Sequence, residues 1–253
     1  MSVSIPIEIF AQPNETACGP SCLDAVYRYW DIPVIGLHPL DSVKQLESGG
    51  TLAVQLAIDA LQRGMATTIT TFNLQLFDPT WFRDQEDSHF ADFLIDKLER
   101  QFARKANDGC YDLHRFECST EAYIDYLRLG GRVQMRPLSE RLIEAPISKG
   151  WPILCGLSAT YLYQEARERE GSDSSRRYKS DDVGGYPAGH FVVLCGFDAT
   201  TAQVQIADPL HDNPLSDCHY YHAPFRQLAA AILLGIVTFD ANLLVIVPEG
   251  DRL

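Results

Sequence analysis

Cys22, Ala25, Val26 and Tyr29 recur at helical spacing, which predicts a helix that begins near Cys18. Pro20 then falls in the first turn, where a missing N–H costs nothing, and Thr16 stands upstream as its expected cap. Residues 51–63 repeat the helical pattern and close on Gly64. Residues 66–72, rich in threonine and isoleucine, predict a strand, and its polarity suggests an edge position. Ser88 is expected to cap a helix with Phe90, Phe93, Leu94, Leu98 and Phe102 on one face. Ser119 is expected to cap another, with Ala122, Tyr123, Tyr126 and Leu127 inward and Gly130-Gly131 at its end. Strands around 132–136 and 151–157 flank a helical piece that Pro146 should interrupt.

The later third reads as strands. Gly185, Pro187 and Gly189 punctuate a loop, and the β-branched, apolar run 190–195 predicts a buried strand. Asp198 to Thr201 reads as a turn, and residues 203–207 alternate as its antiparallel return strand. A helix near 225–234 and a strand at 243–247 complete the pattern. Helices come mostly first and antiparallel strands mostly last, so the fold class is α+β, and no internal repeat is visible. Residues 171–189 form one strongly polar, glycine- and serine-rich segment. Such a segment is often only a surface loop, yet its place before His190 makes it a candidate lid in which Arg176, Arg177, Lys179, Asp181 and Asp182 meet a substrate.

Composition adds boundaries. At 253 residues and 46% hydrophobic, the chain suits one large domain across 1–253. No apolar run approaches the ~20 residues of a membrane span, and the first residues show neither a basic nor a long apolar region, so neither membrane nor signal peptide is expected. Seven cysteines without framework spacing argue for a reducing, cytoplasmic setting. A net charge of −13 speaks against nucleic acid as a partner. Oligomeric state is not legible.

The chemistry lies in four residues. A cysteine attacks a carbonyl as its thiolate, so it needs an imidazole base, a group to orient that base, and donors for the oxyanion. Cys18 stands where a helix N-terminus favours the thiolate, whereas Cys22 falls on the apolar stripe and reads as packing. His190 begins a strand and Asp208 ends its hairpin partner, so the two should lie side by side, with the carboxylate aiming the ring at Cys18. Gln12 lies six residues before Cys18 in a loop.

These elements together, Gln12 with Cys18-Gly-Pro, Gly-His190-Phe-Val-Val-Leu and Ala-Asp208-Pro, resemble in order and spacing the C39-like cysteine peptidases of the papain superfamily. The resemblance implies a papain-like fold, with the nucleophile on a helical half and the base on a sheet half. It implies Cys18 as nucleophile, His190 as base, Asp208 as its orienting group and Gln12 as part of the oxyanion hole. It covers the ends of the chain; residues 65–150 carry no matching motif. Better-known C39 peptidases are attached to export transporters, and nothing in this chain matches such parts.

Plainer readings compete. An isolated cysteine is usually packing, Asp208 could serve only its Asp-Pro turn with Asp198 as the reserve partner, and Gln12 could be a solvated side chain. His38 and His89 lack comparable context. Cys218, His219 and His222 cluster near His211, but they lack zinc-site spacing and read as an exposed strand, so neither metal nor cofactor is expected. The expected function is a thiol hydrolase acting on a peptide or small amide. Acyl or aminoacyl transfer by the same residues is the alternative, and a non-catalytic binding protein on the fold the third.

Overall fold

The computed structural model describes residues 2–33, 37–46, 49–106, 113–171, 178–238 and 241–251. Its first half contains β1 (Ser2–Ser4), α1 (Cys18–Tyr29), α2 (Pro39–Ser42), α3 (Ala53–Gln62), β2 (Met65–Thr71), α4 (Phe90–Lys105) and α5 (Leu113–Arg128). There follow β3 (Arg132–Gln134), α6 (Glu140–Ser148), β4 (Ile153–Ser158), α7 (Ala159–Tyr163), β5 (Glu168–Glu170) and β6 (Tyr178–Ser180). The chain ends with β7 (Gly189–Asp198), β8 (Gln203–Ala207), β9 (Tyr220–Pro224), α8 (Phe225–Leu234) and β10 (Asn242–Pro248).

The apolar runs at 153–158, 189–198 and 242–248 become the middle of one sheet, because strands covered on both sides carry no polar alternation. Its order is β3-β2-β10-β4-β7-β8-β9, with β1 beside the far half of β7. All pairings are antiparallel except β2 with β3. The class is α+β, as the pattern of elements predicts.

The strand at 65–71 is not an edge. It pairs with β10 along its whole length and with β3 on its other side, and six of its seven residues are buried. Its threonines fit an interior because their hydroxyls find partners there: Thr67 Oγ1 donates to Tyr126 Oη and Thr70 Oγ1 accepts from Gln134 Nε2. The stretch 65–150 is thereby built into the same sheet as the ends of the chain.

Three caps differ from expectation. Ala17 occupies the cap position of α1, and Thr16 instead bonds to Asn14 Oδ1. His89, not Ser88, precedes α4. Ser119 lies inside α5, buried, with an Oγ that finds no partner among the described residues. Pro146 does not interrupt α6; the helix runs to Ser148, and the Pro146 carbonyl accepts from Lys149 N and Trp151 N.

α1 is held firmly. Tyr27 Oη and Ser42 Oγ donate to Asp59 on α3 at 2.7 and 2.6 Å, and Arg63 Nε adds a third donor at 2.6 Å. Burial opposes the charge on Asp59, but those three donors outweigh it and keep its carboxyl below the usual range. At the other end, Gly19 lets the helix approach β7: a Cβ there would sit 3.3 Å from Leu56 and 3.4 Å from Phe191. The first turn of α1 therefore rests against the strand that carries His190.

Candidate active site

Cys18 is the first residue of α1, buried but not sealed at 8% exposed. First-turn N–H groups have no partner within a helix, so the Cys18 amide is an available donor beside its own sulfur. The approach loop is ordered by Asn14, whose side chain accepts from Thr16 N and whose carbonyl accepts from Ala17 N. Gln12 Nε2 donates to Asn14 O at 2.9 Å, leaving one amide hydrogen uncommitted and a buried Oε1 without a partner among the described residues. Gln12 N donates to Pro209 O at 2.9 Å, which ties this loop to the residue after Asp208.

His190 is the second residue of β7, paired in register with Leu157 of β4 and almost fully buried. Asp208 follows the last residue of β8, which opposes Val193. The hairpin brings the two together as the strand pattern predicts: His190 Nε2 lies 2.8 Å from Asp208 Oδ1. Cys18 stands near enough for its sulfur to act on the charge of the imidazole. Burial works against a charged ring here, but the charge and hydrogen bond of Asp208, with Cys18 adding to them, raise His190 to about 10. Asp198, at the far end of β7, is spent on its own turn, accepting from Thr200 N and Thr201 Oγ1.

Asp208 is wholly buried and carries four donors. Oδ1 accepts from His190 and from Leu210 N at 2.9 Å; Oδ2 accepts from Tyr163 Oη at 2.6 Å and Tyr221 Oη at 2.7 Å. Burial alone would raise this carboxyl, yet His190 and the hydrogen bonds hold it below the usual range. The turn role and the orienting role thus share one oxygen.

The two tyrosines escaped the sequence reading. Tyr163 ends α7 and carried no signal at all. The alternation from His219 to His222 was read as an exposed strand, whereas in β9 Tyr221 and Ala223 point inward. His219 Nδ1 lies 2.7 Å from Asp208 O and its ring meets that of His211 edge-on. Among the described residues no group of three or more metal-ligating side chains assembles.

Six described cysteines are free; Cys110 lies outside the described residues. Burial pushes Cys22 and Cys155 well above the usual thiol range and Cys195 up to about 12. Cys218 is exposed, and hydrogen bonding to Ser216 and Tyr220 lowers it.

The polar segment before His190 is not one loop. β5 and β6 pair as a two-stranded ribbon, Glu168 to Ser180 at its base, and Tyr186 returns to bond both ways with Glu168. Asp181 is consumed by the turn that follows, accepting from Val183 N and Gly184 N, and by Arg169 at 3.0 Å. Lys179 and Asp182 are exposed; Arg176 and Arg177 lie outside the described residues. Burial, then the charges of Glu15 and Glu165, raise Glu168 at the foot of the ribbon.

A cysteine at a helix start thus stands near an imidazole that a buried carboxylate holds from a sheet, on an α+β fold. This chain belongs to the Peptidase_C39 like family, whose model matches residues 4–230 and so runs through the stretch where no motif was matched. Similar solved structures include one assigned as a C39-like peptidase from Bacillus anthracis, at 13% identity and a TM-score of 0.49, with 98% of each chain covered. Another is xylellain, a cysteine protease from Xylella fastidiosa, at 12% identity and a TM-score of 0.35, with 97% of this chain and 85% of that one covered. No match was found among curated proteins. Among the described residues no helix is long and apolar enough to cross a membrane.

Proposed function

We propose that this chain is a cysteine peptidase that cleaves a peptide or small amide through Cys18, His190 and Asp208. The observation that carries the reading is the buried imidazole held by Asp208 at 2.8 Å, with Cys18 near enough to act on its charge. An imidazole raised in this way exists as imidazolium next to the sulfur, which favours the thiolate. The thiolate attacks the carbonyl carbon, and the oxyanion is met by the Cys18 N–H and by the uncommitted amide hydrogen of Gln12. His190 gives its proton to the departing amine, leaving a thioester on Cys18. It then takes a proton from water, whose oxygen displaces the sulfur and releases the acid.

The ribbon that precedes β7 in the chain supports a restricted cleft and a selective processing peptidase rather than a general protease. Six free thiols fit a reducing, cytoplasmic setting. A panel of acylated short peptides, tried with and without added amines, tests the reading. Release of acid that Cys18→Ser abolishes is expected. Product that forms only when an amine is present would assign the chain to acyl transfer, and turnover surviving in Cys18→Ser would refute the assignment.

A further inference from the structure

Resting on that reading, we propose that Tyr163 and Tyr221 are positioning residues that clamp the second oxygen of Asp208, so that the first stays on His190 and the ring stays aimed at Cys18. The contacts are short and meet on one oxygen: Tyr163 Oη at 2.6 Å from the end of α7, and Tyr221 Oη at 2.7 Å from the second residue of β9. They come from two separate elements, while Oδ1 is occupied by His190 and Leu210 N. Four donors on four acceptor directions leave the carboxylate no alternative rotation.

The clamp answers a physical problem of this site. Asp208 is wholly buried, and a buried anion is costly unless its oxygens are satisfied. An imidazolium satisfies one oxygen only. Without the hydroxyls, Oδ2 would be an unpaired charged atom in the interior, relieved by binding a proton, which would remove the charge that holds His190 protonated. Burial and the Asp208 charge raise both phenols, so they remain donors throughout the working range of a thiol enzyme. Tyr163 also lies beside the imidazole, with ring centroids 6.0 Å apart, so the residue that holds the carboxylate also walls the base.

The test uses iodoacetamide labelling of Cys18, followed by peptide mapping from pH 4 to 10, in wild type, Tyr163→Phe, Tyr221→Phe and the double variant. Phenylalanine removes only the hydroxyl and keeps the packing. Wild type should label at mildly acidic pH, where an ordinary thiol is inert. The double variant should lose about tenfold or more of that acidic reactivity, its acid limb should move up, and its alkaline limb down, by about one pH unit. Each single variant should fall between. Adding Asp208→Asn to the double variant should cost less than Asp208→Asn costs alone, because no buried charge is then left unsatisfied.

Limbs that coincide with those of wild type, with only a lower Tm, would reduce the tyrosines to structural side chains and overturn the proposal while leaving the Cys18–His190 reading intact. A wild-type profile with no acidic reactivity at all would overturn that reading and the clamp with it.

Discussion

Asp208 holds its imidazole with the same oxygen that closes its turn, so a substitution there disturbs both jobs, and the variants separate them. His190→Ala removes the base and should cut turnover by about 10⁴-fold; Asp208→Ala leaves the base misaligned and should cost about 10²-fold per folded molecule. Asp208→Asn should be milder still, since an amide oxygen accepts the same bond from Nε2. Steady-state rates normalised to folded protein check this order, and equal losses for the Asn and His variants would contradict it. The placement of Cys18, His190 and Asp208 is legible because each sits at an element boundary that local pattern marks: a helix start, a strand start and a strand end. Tyr163 and Tyr221 are not, because what matters about them is where α7 and β9 come to rest against β8. That is a property of the sheet order, not of either segment.

Among the elements, long apolar or periodic stretches are legible to within a residue or two for α1, α3, α8, β8 and β10, while β7 runs three residues beyond its apolar run. Caps failed, because a serine or threonine near a helix start has competing local partners, as Thr16 has in Asn14. Position within the sheet also failed for β2, since β3 is only three residues long and pairs with it from beyond two helices. The Ser119 reading yields a discriminating variant. A capping serine costs about 1 kcal/mol when replaced by alanine. The buried hydroxyl without a partner makes Ser119→Ala neutral or stabilising by up to about 1 kcal/mol, measured by urea unfolding. At the ribbon, replacing residues 172–179 by a short Gly/Ser linker should raise KM or alter substrate preference while Cys18 remains alkylatable; unchanged kinetics would make the ribbon a mere connection. Asp181 is kept in that design because it builds the following turn.

At the scale of the whole molecule, the buried pair ties stability to pH. His190 is raised above its unfolded value of about 6.5, so its contribution is complete below that value and is lost as pH climbs through about 10. Asp208 is lowered, so its contribution is present above about 3.9 and is lost as pH falls below that. Tm should therefore decline between pH 6.5 and 10 more steeply in wild type than in His190→Gln, and parallel curves would argue against a buried ion pair. The central claim is that His190 makes Cys18 reactive, and the most direct measurement compares the rate of Cys18 alkylation against pH in wild type and His190→Ala. A small-molecule thiol in the same solution serves as the standard for an unassisted thiol. The account predicts that wild-type Cys18 stays reactive at mildly acidic pH, where the standard falls about tenfold per pH unit, and that His190→Ala removes this reactivity. Coincident profiles for Cys18 in the two proteins would contradict it.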